Sequence, residues 1–279
     1  MRPRNIGILH PGAMGISLAA SAKHTGHTVY WTSQGRSQAT RDRAASQDLI
    51  DAGTLSGLCE VCEVIISICP PAAAETVAAD VLGEGFVGLY VDANAISPGR
   101  TRRIAQTMAQ AGVRFVDGSV IGGPAWEPGR TWLHLAGESA GEAAAVFAAG
   151  PLETNILGSE IGRAAALKMA FAAYTKGTSA LLSAILAVAE ANGVREDLAV
   201  QWSRNGAGFA EQTENRVRSA TTRAWRYADE LDEIAATFSE AGLPPGFGQA
   251  AAEIYRRTAH FKDAPEPPDL ASVLAALLR

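Results

Sequence analysis

The chain has 279 residues, of which 47 % are hydrophobic and 19 % are charged, and its formal net charge is −5. This composition is typical of a globular protein that buries a core, and the length fits one large domain or two smaller ones. Disordered and fibrous proteins are excluded. The chain also lacks the basic bias that usually accompanies nucleic-acid binding, so no nucleic-acid partner is predicted.

Three cysteines occur, at Cys59, Cys62 and Cys69. The odd number and the lack of a recognisable signal peptide predict a cytoplasmic protein. No further ligands follow the C-x-x-C pair at zinc spacing, so we predict no metal site and interpret the pair as packing residues. Polar residues interrupt the most apolar stretch, residues 180–191, which we interpret as a buried helix and not as a membrane span.

Strand and helix patterns alternate in the first half of the chain. The predicted strands cover residues 5–9, 28–31, 64–68, 88–92, 114–117 and 131–137. The predicted helices cover residues 16–24, 72–82 and 98–111. Strands separated by helices of about 10–15 residues predict βαβ units and a mainly parallel sheet. We therefore predict an α/β fold that begins with a doubly wound Rossmann domain over residues 1–158.

The second half is helical throughout. The predicted helices cover residues 161–192, 195–205, 212–241, 248–262 and 270–278, with an interruption near Thr221–Thr222. This pattern predicts an all-α domain over residues 159–279. The helix at 161–192 is too apolar to have only one buried face, so we predict that it packs against a second subunit in a homodimer.

A candidate nucleotide-binding turn follows the first predicted strand. The Rossmann fingerprint G-x-G-x-x-G lets backbone approach a pyrophosphate at a helix N-terminus. Here the first glycine is replaced by histidine, and the second and third are kept. The alternative is a purely structural glycine-rich turn. The predicted cofactor-binding residues of this turn are His10, Pro11, Gly12, Ala13, Met14 and Gly15.

The segment after the second strand bears on the choice of cofactor. Enzymes that use NAD usually place an acid about 20 residues after the glycines, where it binds the ribose 2′-hydroxyl. No acid occurs from Trp31 to Ser37, which instead contains Ser33, Arg36 and Ser37. Arginine pairs with phosphate through a fork of donors, so the segment predicts NADP(H). The alternative is that Arg36 is a solvated loop residue.

These features, in this order, resemble the β-hydroxyacid dehydrogenase superfamily, which includes 6-phosphogluconate and 3-hydroxyisobutyrate dehydrogenases and is related to the imine reductases. The first turn is similar to G-x-G-x-M-G, and Cys69-Pro70 is similar to a strand-ending proline beside the cofactor. The loop from Asp92 to Pro98 is similar to D-x-S-T-x-x-P, with Asn94 at the serine position. The resemblance therefore implies that Cys69, Pro70 and Asn94 lie at the cofactor.

Two further motifs of the superfamily concern substrate and catalysis. The segment from Asp117 to Gly123 resembles the substrate loop D-A-P-V-S-G-G, and Gly162 with Lys168 resembles the pattern G-x-x-x-x-x-K. The resemblance is closest to a poorly characterised branch labelled 6-phosphogluconate-dehydrogenase-like. It implies a homodimer with shared active sites and the substrate-site residues Ser119, Ile121, Gly122 and Gly123.

Lys168 also stands out on physical grounds. A lysine within an Ala/Leu-rich helix is costly to bury unless it is paired or functional. Hydride transfer between an alcohol and a nicotinamide needs a group that takes or gives the hydroxyl proton, and Lys168 suits that role. The alternative is a lysine whose head reaches solvent at the helix end. Lys176 is the competing candidate.

The chain departs from the superfamily pattern around this lysine. Phe171 and Ala172 stand where an asparagine is common, Ile121 replaces a serine, and Asp229 replaces a second lysine. These changes predict a pocket that is more apolar and less cationic, for a small carbonyl or hydroxyl compound and not a sugar phosphate. Trp225 is a candidate pocket wall, or else part of an ordinary amphipathic helix.

Two alternatives to a hydroxyacid-type dehydrogenase remain open. The first is an imine reductase. Such relatives usually carry aspartate or tyrosine at the lysine position, but the missing asparagine leaves room for this activity. The second is a non-catalytic NADP(H)-binding sensor, which would bind nucleotide tightly without turnover.

Overall fold

The structure is a computed structural model that describes residues 2–204, 206–262 and 264–279. It divides into two compact units, the first ending at Lys168 and the second beginning at Met169. The first unit therefore extends past residue 158 into the start of the long helix. The predicted helix end at Asn205 lies outside the described residues.

The first unit is built on one eight-stranded sheet with the order β3-β2-β1-β4-β5-β6-β7-β8. Its strands are β1 Asn5–Ile8, β2 Thr28–Trp31, β3 Ile50–Asp51, β4 Val64–Ser67, β5 Leu89–Asp92, β6 Arg114–Gly122, β7 Thr131–Ala136 and β8 Glu153–Ile156. Every described strand pair is parallel except β6 with β7. The chain reverses direction across the sheet between β1 and β4, where a doubly wound sheet opens its binding crevice. The predicted Rossmann fold is confirmed.

The helices of the first unit cover the sheet. They are α1 Ala13–His24, α2 Gln38–Ser46, α3 Leu55–Val61, α4 Ala74–Gly83, α5 Pro98–Gln110, α6 Ala140–Ala145 and the beginning of α7 Arg163–Ala172. Helix α1 begins three residues before its predicted start, because Gly12 is its N-cap. The glycine turn thus runs directly into the helix.

One strand differs markedly from the prediction. The predicted strand at 114–117 continues to Gly122, because residues 117–122 pair antiparallel with β7. The segment expected to be a substrate loop is therefore mostly strand, and only its end is a loop. Ladder hydrogen bonds hold this segment in place, so its backbone is a rigid support.

Apolar residues on both faces of the sheet form the core of the first unit. Cys59 and Cys62 are buried within it. Burial raises the pKa of the Cys59 thiol to about 11 and that of Cys62 to about 12. Both thiols stay protonated at neutral pH, which agrees with packing residues and not with a redox pair.

The second unit is helical, as predicted. It contains the rest of α7, a π-helical turn Ala173–Gly177, α8 Thr178–Ala191, α9 Arg195–Ser203, α10 Phe209–Thr221, α11 Ala224–Glu240, α12 Gly246–Thr258 and α13 Leu270–Leu277. The predicted interruption near Thr221–Thr222 is the break between α10 and α11. Helix α11 packs along α12 through the buried residues Leu231, Ile234 and Ala252.

Helix α7, the π turn and α8 form one helix of 29 residues from Arg163 to Ala191. By length and composition alone this helix could cross a membrane: an 18-residue window of it has a mean hydropathy of 1.3, and 33 % of that window is buried. A core helix passes the same test. The interpretation of residues 180–191 as a buried helix and not a membrane span stays a prediction.

Candidate functional site

The glycine turn lies at the carboxyl end of β1, on the crevice edge of the sheet. The Gly12 amide donates to the carbonyl of His10 at 2.8 Å, which closes the turn, and α1 begins at Ala13. The unpaired N–H groups of the first helical turn therefore point into the crevice, as an anionic phosphate requires.

The two glycines of this turn differ in what surrounds them. A Cβ on Gly15 would overlap the carbonyl oxygen of His10, whereas a Cβ on Gly12 would meet no atom within 4 Å. Gly15 is thus required by packing between helix and turn. Gly12 borders open space, which leaves its backbone accessible to a ligand. The residues present fit a dinucleotide pyrophosphate.

His10 and Arg36 are neighbours beside the turn. A cavity of about 290 Å³ here is lined by residues that include Leu9, His10, Thr32, Gln34 and Arg36. Burial, and then the positive charge of Arg36, lowers the pKa of His10 to about 4, so its ring is neutral at pH 7. Among the described residues, His10 Nδ1 and Arg36 Nε are buried without a hydrogen-bond partner. Two unsatisfied polar atoms beside a cavity indicate a place for a polar ligand.

Two more arginines lie near this cavity and were missed by the sequence analysis. Arg43 on α2 donates through Nε to the carbonyl of Pro11 at 3.1 Å, and Arg41 donates to the carbonyl of Ser33 at 2.8 Å. Ser37 caps α2 by accepting from the Thr40 amide at 3.4 Å. The sequence signal that could have revealed these two arginines is that they follow soon after Arg36.

An acid also lies beside this loop, although none occurs between Trp31 and Ser37. Asp51, at the end of β3, accepts from the Ser33 amide at 3.1 Å and from the Gly53 amide at 2.8 Å. It is the register partner of Trp31 at the end of β2. The sheet thus brings a carboxylate next to the predicted 2′-phosphate segment, where sequence separation concealed it.

The ends of β4 and β5 are tied together beneath the crevice. The buried Asn94 side chain accepts from the Cys69 amide at 2.6 Å and donates to the Ser67 hydroxyl at 3.2 Å. Asn94 was predicted to contact the cofactor, but its polar atoms bind the scaffold because the side chain is buried under the strand ends. Cys69 is half-buried there, and Pro70 follows it at the start of a 3₁₀ turn.

Lys168, the predicted catalytic residue, lies close to the end of β6. Its Nζ atom donates to the carbonyl of Val120 at 2.8 Å, and the side chain is half-buried. Gly122 has a φ of +121° and leaves no room for a Cβ, which would overlap the carbonyl oxygen of Arg130. Gly123 borders open space and Ile121 is half-buried. The lysine and the two glycines therefore share one corner of the first unit.

Ser119 was predicted to lie at the substrate, and its side chain is only 1 % exposed. Its hydroxyl is buried without a hydrogen-bond partner among the described residues. Residue 119 belongs to β6 and not to a loop. Its register partner on β7 is His134, which the sequence analysis did not single out and which interacts with the charge of Lys168. Burial, and then the charge of Lys168, lowers the pKa of His134.

A pair of buried acids lies at the same edge of the sheet. Asp92 ends β5 and is the register partner of Asp117 on β6. Burial raises the pKa of Asp92 to about 7 and that of Asp117 to about 6. The described residues contain no group of three or more His, Cys, Asp or Glu side chains that could hold a metal ion.

Two candidates lie in the second unit. Trp225, in the first turn of α11, is 39 % exposed, and Lys262 Nζ lies 4.2 Å from its ring centroid. Lys176, the competing catalytic candidate, forms an ion pair with Glu230 inside this unit and lies 4.7 Å from the Tyr227 ring. Lys176 is thus engaged by an acid and by an aromatic ring within the second unit.

Comparison with known proteins agrees with this geometry. Residues 5–147 match the family described as the NAD binding domain of 6-phosphogluconate dehydrogenase. Residues 189–258 match a domain of unknown function, DUF1932. An uncharacterized 28.5 kDa protein in the 7S RNA 5′ region of Methanothermus fervidus is 27 % identical over 76 % of this chain and 82 % of its own length.

Solved structures share the fold over the full length. The Mycobacterium tuberculosis 3-hydroxyisobutyrate dehydrogenase, solved with L-serine, has a TM-score of 0.71 at 18 % identity and covers 100 % of both chains. An imine reductase from Myxococcus stipitatus in complex with NADP⁺ has a TM-score of 0.57 at 17 % identity, covering 99 % of this chain and 100 % of its own. At these identities the likeness concerns the fold.

The matched residues, 5–147, include the strands and helices that build the crevice described above. The glycine turn, the β4 end and the β5 loop all fall inside it, in the order expected from the sequence motifs. The chain therefore belongs to the family of the NAD-binding domain of 6-phosphogluconate dehydrogenase, within the superfamily of dinucleotide-dependent oxidoreductases that its motifs resemble.

Proposed function

We propose that this protein is an NADP(H)-dependent oxidoreductase that transfers hydride to or from a small hydroxy or keto compound, with Lys168 as general acid and base. The observation that carries the proposal is the contact of Lys168 Nζ with the Val120 carbonyl, 2.8 Å away. This contact directs an ammonium group to the corner where Gly122 and Gly123 end β6. The glycine turn lies on the same edge of the sheet.

The chain's own groups supply the proton chemistry. When bound, the nicotinamide cofactor gives or accepts the hydride. In the reducing direction, Lys168 donates a proton to the substrate oxygen. In the oxidising direction, neutral Lys168 removes the hydroxyl proton. A Cβ on Gly123 would enter open space, so there is room for a substrate beside its backbone.

The preference for NADP(H) rests on cationic groups around the β2 loop. Three arginines donate to backbone carbonyls here: Arg36 to residue 9, Arg43 to residue 11 and Arg41 to residue 33. Their guanidinium groups therefore lie around the glycine turn and the neighbouring β2 loop. Guanidinium groups bind phosphate through paired donors. A second candidate, NAD(H), is favoured by Asp51, whose carboxylate lies at the Ser33 amide.

Calorimetric titration with NADPH and NADH tests this choice. We expect tighter NADPH binding, weakened about tenfold or more by Arg36→Ala or Arg43→Ala, since a charge-assisted hydrogen bond contributes roughly 1.5–3 kcal/mol. Arg2→Ala, before β1 at the opposite edge of the sheet, is the matched control. Tighter NADH binding that Asp51→Asn weakens would establish the second candidate instead.

Substrate class and catalysis are tested together. We expect turnover of small carbonyl compounds with an apolar portion, because Ile121 and Phe171 occupy positions that carry polar side chains in the superfamily. Lys168→Met should lower kcat by about 100-fold or more, in line with general acid–base catalysis, and leave NADPH affinity unchanged. Saturable turnover of 6-phosphogluconate would contradict the substrate class. Preferred turnover of imines would identify an imine reductase, and tight binding without any turnover would identify a sensor.

We also propose that the protein is a homodimer formed through the long helix. Three of its large side chains at seven-residue spacing are exposed in the single chain, namely Tyr174 at 70 %, Leu181 at 57 % and Val188 at 61 %. An apolar stripe with this period is the pattern by which helices pair. Light scattering at micromolar concentration should give a dimer, which Leu181→Glu disrupts. Val87→Glu, at another exposed apolar residue, is the control, and a monomeric wild-type protein would contradict the proposal.

A further inference from the structure

The helix that carries Lys168 has an N-terminal cap supplied from a distant part of the chain. Residue 162, which precedes α7, is a glycine with a φ of +100°, so it has no side chain with which to cap the helix. Asp117, on β6, accepts instead from the amides of Gly162 at 2.8 Å, Ala164 at 2.9 Å and Ala165 at 3.2 Å. The amides of Ala164 and Ala165 are the two that an N-cap side chain normally satisfies, and the third belongs to the N-cap residue itself.

A carboxylate suits this position better than any neutral side chain. Its two oxygens accept from three amides, and its negative charge lies at the positive end of the helix dipole. Gly162 is also packed closely, since a Cβ there would lie 2.6 Å from Nη1 of Arg102. An asparagine offers only one accepting oxygen, and its amide hydrogens would face the helix amides.

The same strand holds the helix at a second point. Asp117 binds the first turn of α7, and Val120, three residues further along β6, accepts from Lys168 Nζ at 2.8 Å. Helix and strand are thus joined at the helix start and at the lysine head. If the hydrogen bonds at the helix start are lost, the direction of the Lys168 side chain changes.

Buried polar groups connect Asp117 with the cofactor side of the crevice. Its register partner Asp92 accepts from the Asn94 amide at 2.9 Å, and the Asn94 side chain binds Cys69 and Ser67. Register partners on adjacent strands lie about 5 Å apart and project to the same face, so the two carboxyl groups interact directly. The like charge of Asp117 makes Asp92 harder to ionise.

We propose that Asp117 is a positioning residue whose carboxylate fixes the start of α7 and thereby the direction of Lys168. The consequence for Lys168 rests on the function proposed above. The capping itself rests only on the hydrogen bonds.

Several charged or titratable groups surround the two acids. Arg102 on α5 acts on Asp117, and Arg100 on the same helix acts on Asp92. The Cys69 thiol and the Tyr90 hydroxyl also interact with Asp92. The two arginines favour the ionised acids, while burial and mutual repulsion oppose ionisation. Of these groups, only the two acids have a pKa brought near neutral pH, so a transition there reports on them.

Hydrogen–deuterium exchange between pH 5 and 8, corrected for intrinsic rates, tests the proposal without substrate. Peptides covering residues 160–170 should lose protection by about tenfold as the pH falls one unit below the Asp117 transition. Asp117→Asn should be poorly protected throughout the range. Asp92→Asn should keep the transition, because Asp92 has the higher pKa and is still protonated where Asp117 titrates.

A second readout follows Lys168 itself. The rate of its reductive methylation, measured by mass spectrometry against pH, should follow the same transition in wild type and in Asp92→Asn but not in Asp117→Asn, while the rate for Lys23 should be alike in all three proteins. Unchanged protection in Asp117→Asn, or loss of the transition in Asp92→Asn, would overturn the proposal. The Asp92→Asn arm decides the question if Asp117→Asn does not fold. Failure of the wild-type protein to bind NADPH would refute the proposed function and leave the exchange result intact.

Discussion

A substitution of Asp92 can measure how much the buried pair of acids lowers the free energy of unfolding. Its side chain is 2 % exposed, and one oxygen accepts from the Asn94 amide at 2.9 Å. The other oxygen, Oδ2, is buried without a hydrogen-bond partner among the described residues. Burial, and in addition the charge of Asp117, raises the pKa of Asp92 from 3.8 to about 7.

Because the pKa of Asp92 is raised, the change of the free energy of unfolding with pH has a definite sign. A carboxyl group whose pKa is raised in the folded state binds its proton more tightly there than in the unfolded chain. The folded state is therefore favoured at low pH, and this stability is lost as the pH rises from about 4 through 7. At about 1.4 kcal/mol per pKa unit, full ionisation of Asp92 costs about 4 kcal/mol.

Asp92→Asn removes the titration while keeping size and shape. Urea unfolding of wild type and variant, at one protein concentration, should show the variant gaining about 3 kcal/mol relative to wild type between pH 5 and pH 8. Asp229→Asn, an exposed acid on α11, should follow wild type. Parallel curves for wild type and Asp92→Asn would refute the reasoning, because Asp92 would then titrate alike in the folded and unfolded states.

Two further predictions concern packing. Gly15→Ala should destabilise the first unit and abolish NADPH binding, because its Cβ would overlap the His10 carbonyl; Gly12→Ala should keep the thermal stability of wild type and lose only NADPH affinity, since its Cβ enters open space. Thermal melts and calorimetry separate the two. Lys176→Met should cost about 3–5 kcal/mol by leaving Glu230 buried and unpaired, while the double variant with Glu230→Gln should recover most of this loss in urea unfolding; equal losses in both would contradict a coupled pair.

Much of the first unit could be predicted from periodicity and turn residues. The glycine turn, β2, β4 and β5 were found because each is a short apolar segment bounded by polar or glycine residues. The strands β3 and β8 were not predicted, since their residues are mostly exposed and carry no apolar pattern. The end of β6 was misplaced because its pairing with β7 is a tertiary contact that no local pattern encodes.

The residues of the candidate site also divide into those that local patterns reveal and those that depend on tertiary contacts. Lys168, Gly122 and Gly15 belong to motifs whose spacing is local, so the sequence alone was enough to predict them as site residues. Asp51 reaches the β2 loop across a strand pair, and Asp117 reaches α7 across 45 residues. Such contacts depend on which strand ends lie side by side, and this follows from the topology of the whole sheet. The burial of Ser119 could not be predicted for the same reason, because it depends on where β6 ends.

The charged groups proposed to bind the nucleotide and those proposed to act in proton transfer lie at different strands of the sheet. Arg36 and Arg43 lie around the turn and the β2 loop, where ionisation does not change between pH 5 and 8. Lys168 and Asp117 are both attached to β6, and the raised pKa of Asp117, about 6, places its titration inside that interval. Acidification should therefore loosen the start of α7 while the arginines remain charged. A nucleotide held by those arginines would stay bound at a pH where the lysine is no longer held in place, so acid should lower turnover before it lowers nucleotide affinity.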